Sequence, residues 1–183
     1  MPLPVALAIL LIPSSETSRP VVEILAGVAL TAAGEAIRLW GVGQIGVISR
    51  TRSGRLGPLV DTGPFAYVRN PLYAGNILLW VGFAVTAGLL WLAPLVVVLL
   101  ALEYHRIVAW EESRLLAHHG DTYRDYSRRV PRWLPRAGSG AGSRQPGAGL
   151  VSGSTLAHTL FSERGTLVAI AAGYVLLWLR ARF

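Results

Sequence analysis

The sequence predicts an all-α protein, a polytopic helical bundle held in a membrane through about four to five segments. Three observations lead there. Of the 183 residues, 52% are hydrophobic and 15% charged, too apolar a balance for an ordinary soluble domain. Apolar runs recur along the chain with polar or glycine-rich stretches between them. Arginine collects in two of those stretches: four fall in 50–69 and seven in 106–136, while the turn at Gly88 has none.

Residues 1–13 are apolar but lack the basic start of a secretory signal, and Pro2 and Pro4 shorten any helix there. They read as a short or partial first segment. Arg19-Pro20 opens a second segment, about 21–40, interrupted by Glu23, Glu35 and Arg38. Glu35 and Arg38 are three apart, so they can pair on one helix face. Gly41-Val-Gly-Gln-Ile-Gly46 has the spacing G-x-G-x-x-G, but that pattern binds dinucleotides only between a strand and a helix. Here it follows an apolar helix and precedes Arg50, Arg52 and Arg55 in a loop over 49–68, so no Rossmann site is expected.

Residues 62–73, Thr-Gly-Pro-Phe-Ala-Tyr-Val-Arg-Asn-Pro-Leu-Tyr, form a polar, proline-bounded collar just before the longest apolar run. Gly63-Pro64 makes a turn. Pro71 suits a first helical position because its missing N–H would be unpaired there, and Asn70 is then the natural N-cap. The third segment, 71–87, is near the lower limit for a span. Gly88 turns the chain and 91–107 runs back as the fourth, so both open ends of this antiparallel hairpin share a face. The helix is expected to continue through Trp110, Glu111, Glu112, Arg114, Leu115 and Leu116 until Gly120 stops it. Tyr123, Tyr126 and Val130-Pro-Arg-Trp-Leu-Pro135 follow. Residues 137–154 read as a Gly/Ser-rich linker, and 165–179 as a fifth apolar segment, spanning or interfacial, that ends at Arg180 and Arg182. The expected organisation is a membrane domain over 1–135, a linker over 136–154 and a C-terminal hydrophobic membrane or interfacial helix over 155–183.

The positive-inside rule places both arginine-rich stretches in the cytoplasm, as in a multi-pass protein of the cell inner membrane. Several functions are disfavoured. The arginines sit between apolar runs with no nucleic-acid motif beside them. The chain has no cysteine, hence no disulfide, thiolate metal site or cysteine nucleophile. His118 and His119 are adjacent, no H-E-x-x-H occurs and no metal site is expected. No G-x-S-x-G is present, and the lack of an internal repeat argues against a transporter.

The hairpin brings Arg69, Asn70 and Tyr73 to the same face as His105, Glu111, Glu112, Tyr123, Tyr126 and Arg132, with Trp110 and Trp133 as apolar walls. Such a set can bind a zwitterion: arginine takes a carboxylate, glutamate an ammonium, and aromatic rings a cation or a base. Interfacial anchoring accounts for Tyr, Trp and Arg equally. A solvated face accounts for Glu111-Glu112, which point about 100° apart on a helix, so that one can face a pocket while the other pairs with Arg106 or Arg114.

At these residues the chain resembles the membrane methyltransferase superfamily of isoprenylcysteine carboxyl methyltransferases and phosphatidylethanolamine N-methyltransferases. Gly63-Pro64-Phe65 with Arg69-Asn70-Pro71-Leu72-Tyr73 is similar to the family's G-P-[YF] and R-[HN]-P-x-Y. Glu111-Glu112, Leu115, Gly120, Tyr123, Tyr126, Pro131-Arg132 and Pro135 are similar to its E-E, L, G-x-x-Y-x-x-Y and P-R-x-x-P. The resemblance covers 62–135 and implies methyl transfer from S-adenosylmethionine at the cytoplasmic end of the bundle. It implies Arg69, Glu111 and Glu112 as catalytic groups, with Asn70, Pro71 and Tyr73 shaping the cofactor pocket and Tyr123, Tyr126 and Arg132 closing it as a C-terminal lid. His105 joins the cofactor-binding set by its place on the same face. Eukaryotic isoprenylcysteine enzymes have histidine where this chain has Asn70, which removes a titratable group. A lipidic or small hydrophobic acceptor would enter sideways from the hydrocarbon. The acceptor atom and the oligomeric state have no signature in the sequence. A steroid 5α-reductase-type enzyme using NADPH and a non-enzymatic membrane scaffold are the alternatives.

Overall fold

The computed structural model describes residues 3–12, 20–45, 57–135 and 156–182. Gly46, the arginines of the 49–56 loop and the 137–154 linker lie outside them. Among the described residues there are six α-helices and no strand: α1 Leu3–Leu11, α2 Val21–Ile45, α3 Pro71–Thr86, α4 Ala93–His119, α5 Asp121–Arg129 and α6 Leu156–Arg180, with 3-10 turns at Gly63–Ala66 and Leu90–Leu92. The glycine-rich segment at 41–45 is the last turn of α2 rather than a strand-to-helix loop, which removes the Rossmann geometry.

Two helical stretches, Leu90–His119 and Leu156–Arg180, are long and apolar enough to cross a membrane, and α3 is apolar but shorter. At nine residues, α1 is only about 14 Å long, too short to span. The 27 residues of α4 reach about 40 Å against a hydrocarbon core of about 30 Å, so one end projects beyond the apolar layer. The C-terminal helix starts at Leu156, ahead of the apolar run at 165–179, which forms its later part.

Two glycines supply the breaks. α3 ends in a Schellman motif: the N–H of Leu89 bonds the carbonyl of Ala84 at 2.9 Å and that of Gly88 the carbonyl of Val85 at 2.9 Å, with Gly88 at φ 72, a left-handed conformation that glycine adopts without a Cβ penalty. Gly120, at φ 55, likewise separates α4 from α5.

The residues divide into two compact units, 1–36 with 75–104 and 164–183, and 37–74 with 105–163. In the first, Val96, Leu100 and Tyr104 form the buried stripe of α4 at spacing four. Its α2 and α3 meet through glycine: a Cβ on Gly34 would stand 2.6 Å from the carbonyl oxygen of Gly75, and one on Gly82 2.7 Å from that of Gly27. In the second unit Gly41, seven further along the same face of α2, has Leu72 at 2.8 Å from where its Cβ would be. Small residues let apolar helices approach backbone to backbone. The second unit also carries a cluster of Tyr123, Tyr126 and Val130 with Leu59 and Leu115 against it.

Candidate active site

The dense polar cluster lies within the second unit, where the collar, the second half of α4, α5 and residues 130–132 meet. Pro71 is buried at the first position of α3, and the Asn70 carbonyl takes the N–H of Ala74 at 3.2 Å, as an N-cap residue does. The Asn70 side chain, however, donates its amide to the carbonyl of Arg132 at 3.2 Å, and the N–H of Arg69 donates to the carbonyl of Pro131 at 2.9 Å. On α5, the Tyr126 hydroxyl donates to the Phe65 carbonyl at 2.9 Å. Three bonds to main-chain oxygens thus tie the C-terminal motif to the collar, 61 and 62 positions away for the two side-chain bonds. Main-chain carbonyls at Phe65, Pro131 and Arg132 have no motif signal, so the sequence did not offer them.

The charges sort into two groups. Glu112 sits between two arginines: its Oε1 accepts from Arg69 Nη1 at 2.9 Å and from Arg132 Nε at 3.2 Å, and its Oε2 accepts from Arg132 Nη2. Neither Arg106 nor Arg114 is needed to explain it. Glu111, one residue earlier and turned aside on the helix, accepts instead from the Tyr73 hydroxyl at 2.8 Å. Burial and the nearby Glu112 carboxylate push the Tyr123 phenol up from its ordinary value, with Arg69 opposing. Burial also pushes Tyr126 up, so both phenols stay protonated at neutral pH. Asp61 meets Arg129 of α5 at 4.0 Å.

Two expected members stand apart. His105 is exposed on α4, seven residues or about 10 Å of helix below Glu112, and Trp110 is exposed with the Arg114 guanidinium 4.9 Å from its ring centroid. Gln44 and Trp40, which the sequence did not mark, touch the collar: Gln44 Oε1 takes the Thr62 hydroxyl at 3.0 Å, and Trp40 lies 6.2 Å from Tyr67, ring centre to ring centre. Gln44 was hidden inside the G-x-G-x-x-G string. Among the described residues, no group of three His, Asp or Glu side chains is placed to hold a metal ion.

Two guanidiniums share one carboxylate, and Arg69 Nε is buried with no hydrogen-bond partner. The cluster therefore has donor capacity and positive charge left for a ligand carboxylate, while Glu111 offers a carboxylate for a cation. This donor set fits a zwitterion.

Helices of this composition, with carboxylates and guanidiniums gathered where one of them begins, define a membrane protein with a built polar site. The phospholipid methyltransferase family model matches residues 22–122, more than half of the sequence, and the chain belongs to that family. It is similar to the nickel-cobalt-cadmium resistance protein NccN of Alcaligenes xylosoxydans xylosoxydans, 35% identical over 78 residues, 43% of this chain and 36% of that protein. It is also similar to methanethiol S-methyltransferase 2 of Bradyrhizobium diazoefficiens, 43% identical over 75 residues, 39% of this chain and 27% of that one. These matches thus span about a third of the length of the curated relatives. No solved structure matches the chain.

Proposed function

We propose that this chain transfers a methyl group from S-adenosylmethionine to a lipidic or small hydrophobic acceptor, within a bundle of about four to five membrane segments whose site faces the cytoplasm. The single observation that carries the proposal is the pairing of two separate carboxylate sites, Tyr73–Glu111 and Arg69–Glu112–Arg132, on motif residues of a methyltransferase family. When bound, the cofactor supplies an electrophilic methyl group on a sulfonium. Arg69 and Arg132 hold its carboxylate, and Glu111, oriented by the Tyr73 hydroxyl, holds its ammonium. Glu112 aligns the two guanidiniums and touches no ligand. Asn70 and Pro71 set the start of α3, where the helix dipole favours an anion. Tyr123 and Tyr126 close the site as part of a lid, and His105 lies outside it. Excluding water is the other task of these residues, because charge disappears when an anion attacks a sulfonium, and that step is favoured in a dry site.

One observation favours a thiol among the acceptors. With Glu112 bound to both arginines and Glu111 assigned to the ammonium, no carboxylate is left as a base for an amine, whereas a thiol ionises near pH 8.5 beside the surplus positive charge. The likeness to a methanethiol S-methyltransferase points the same way.

The test is equilibrium binding of S-adenosylmethionine to the purified protein in detergent. Micromolar binding is expected, weakened about tenfold or more, about 1.4 kcal/mol, by Arg69→Ala and by Glu111→Ala. Binding of NADPH alone, or of neither molecule, sinks the proposal.

A further inference from the structure

The C-terminal helix carries a feature that the site does not use. α6 lies beyond the residues matched by the family model, and most of its apolar surface is uncovered, as suits a helix in lipid. Yet one of its residues, Glu163, has a side chain that is completely buried and paired with Arg38 of α2 at 2.5 Å, the guanidinium itself only 11% exposed. A helix that merely lies in lipid has no use for a buried carboxylate, whose desolvation is costly even when paired. Such a pair does one thing that apolar contacts do poorly: it fixes the rotation and register of one helix against another.

What that register controls can be followed within the same compact unit. One turn beyond Glu163 towards the start of α6, the buried Thr159 lies 3.6 Å from the position of a Cβ on Gly43 of α2, so the contact extends along both helices. The opposite side of α2 is pressed on the collar. Gly41 faces Leu72 and Phe65, Gln44 bonds Thr62 at 3.0 Å, and Gly63, at φ +59, has Gln44 and Trp40 so close that a Cβ there would stand 2.5 Å from Gln44 Cγ. Residues 38–44 of α2 are therefore held between α6 and the collar that carries Arg69, Asn70 and Tyr73.

We infer that Arg38 and Glu163 are positioning residues for the site: through residues 38–44 of α2, the C-terminal helix sets the placement of the collar. The inference rests on the collar being half of the methyl-transfer site, as proposed above. It makes α6 a working part of the enzyme although the family match and the motifs both end before it.

The full chain is compared with Glu163→Gln, Arg38→Gln and the exchange R38E/E163R. Three quantities are read: deuterium uptake of the backbone at 62–73, the dissociation constant for S-adenosylmethionine, and the unfolding temperature. Either single variant is expected to speed amide exchange in the collar about tenfold and to weaken cofactor binding about tenfold, and the exchange variant to restore both to within about threefold. Single variants that fold and leave collar uptake unchanged overturn the inference. So does failure of all three variants to fold, which assigns the pair to folding alone. If the unmodified protein binds no cofactor while Glu163→Gln still loosens the collar, methyl transfer at this site is withdrawn and the coupling of α6 to the collar stands.

Discussion

Replacing Glu112 by glutamine separates the role given to it from the role given to its neighbour. In the native protein its two oxygens take three N–H groups, one from Arg69 and two from Arg132. The amide is isosteric but neutral, and its NH2 group points a donor at a guanidinium. Charge-assisted bonds of this kind are worth about 1.5–3 kcal/mol each. The Arg69 bond counts nearly in full because its partners are 16% and 11% exposed, whereas Arg132, at 31%, is discounted for solvent screening. The two guanidiniums are also left facing each other uncompensated. The net loss is about 2–4 kcal/mol, which lowers the melting temperature of a chain this size by about 4–16 °C. Glu111→Gln, which keeps the arginine cluster intact, is expected to melt near the unmodified protein while losing cofactor binding. Thermal unfolding in one detergent, with cofactor binding measured on the same samples, checks both halves. A Glu112→Gln protein that melts within about 2 °C of the parent refutes the bridging role given to Glu112, and equal binding losses at equal stability refute the division of labour.

Three further outcomes are expected. Gly120→Ala and Gly63→Ala both place a side chain at positive φ, but the space around Gly120 is empty while a Cβ at Gly63 meets Gln44; chemical denaturation should show a loss of about 1 kcal/mol for the first and about 2–3 kcal/mol for the second. Gly34→Val drives a branched side chain into the backbone of Gly75 and Leu79 and should cost about 3 kcal/mol or more, read as lost yield of folded protein. Tyr126→Phe leaves the Phe65 carbonyl without its phenol and should cost about 1–2 kcal/mol. Because the folded phenol is pushed up, its contribution is complete below the ordinary tyrosine value of 10.0 and declines only as pH rises toward the folded value, so the Phe variant should show the same deficit at neutral pH as at mildly alkaline pH.

How much was legible follows from what is local. The helical class, the hairpin about Gly88 and the stop at Gly120 depend on periodicity and on backbone conformations that glycine alone adopts easily, and both are properties of short windows. The two motifs were legible for the same reason, as strings of fixed spacing. The partner of Glu163 was not legible, because an ion pair between distant positions leaves no local pattern. Helical spacing brings Glu35 and Arg38 to one face, and it says nothing of Glu163, 125 positions from Arg38.

The sequence by itself therefore determined that the chain is a bundle of apolar helices with a polar collar at a helix entrance, and in which order its charged residues arrive there. Only the tertiary structure decided who pairs with whom. Charges carry no address: Arg106 and Arg114 stand near the two glutamates in sequence, yet folding brought Glu112 Arg69 and Arg132. His105 and Trp110 share a helix with the two glutamates, yet both are exposed, because whether a face is covered depends on what the rest of the chain packs against it.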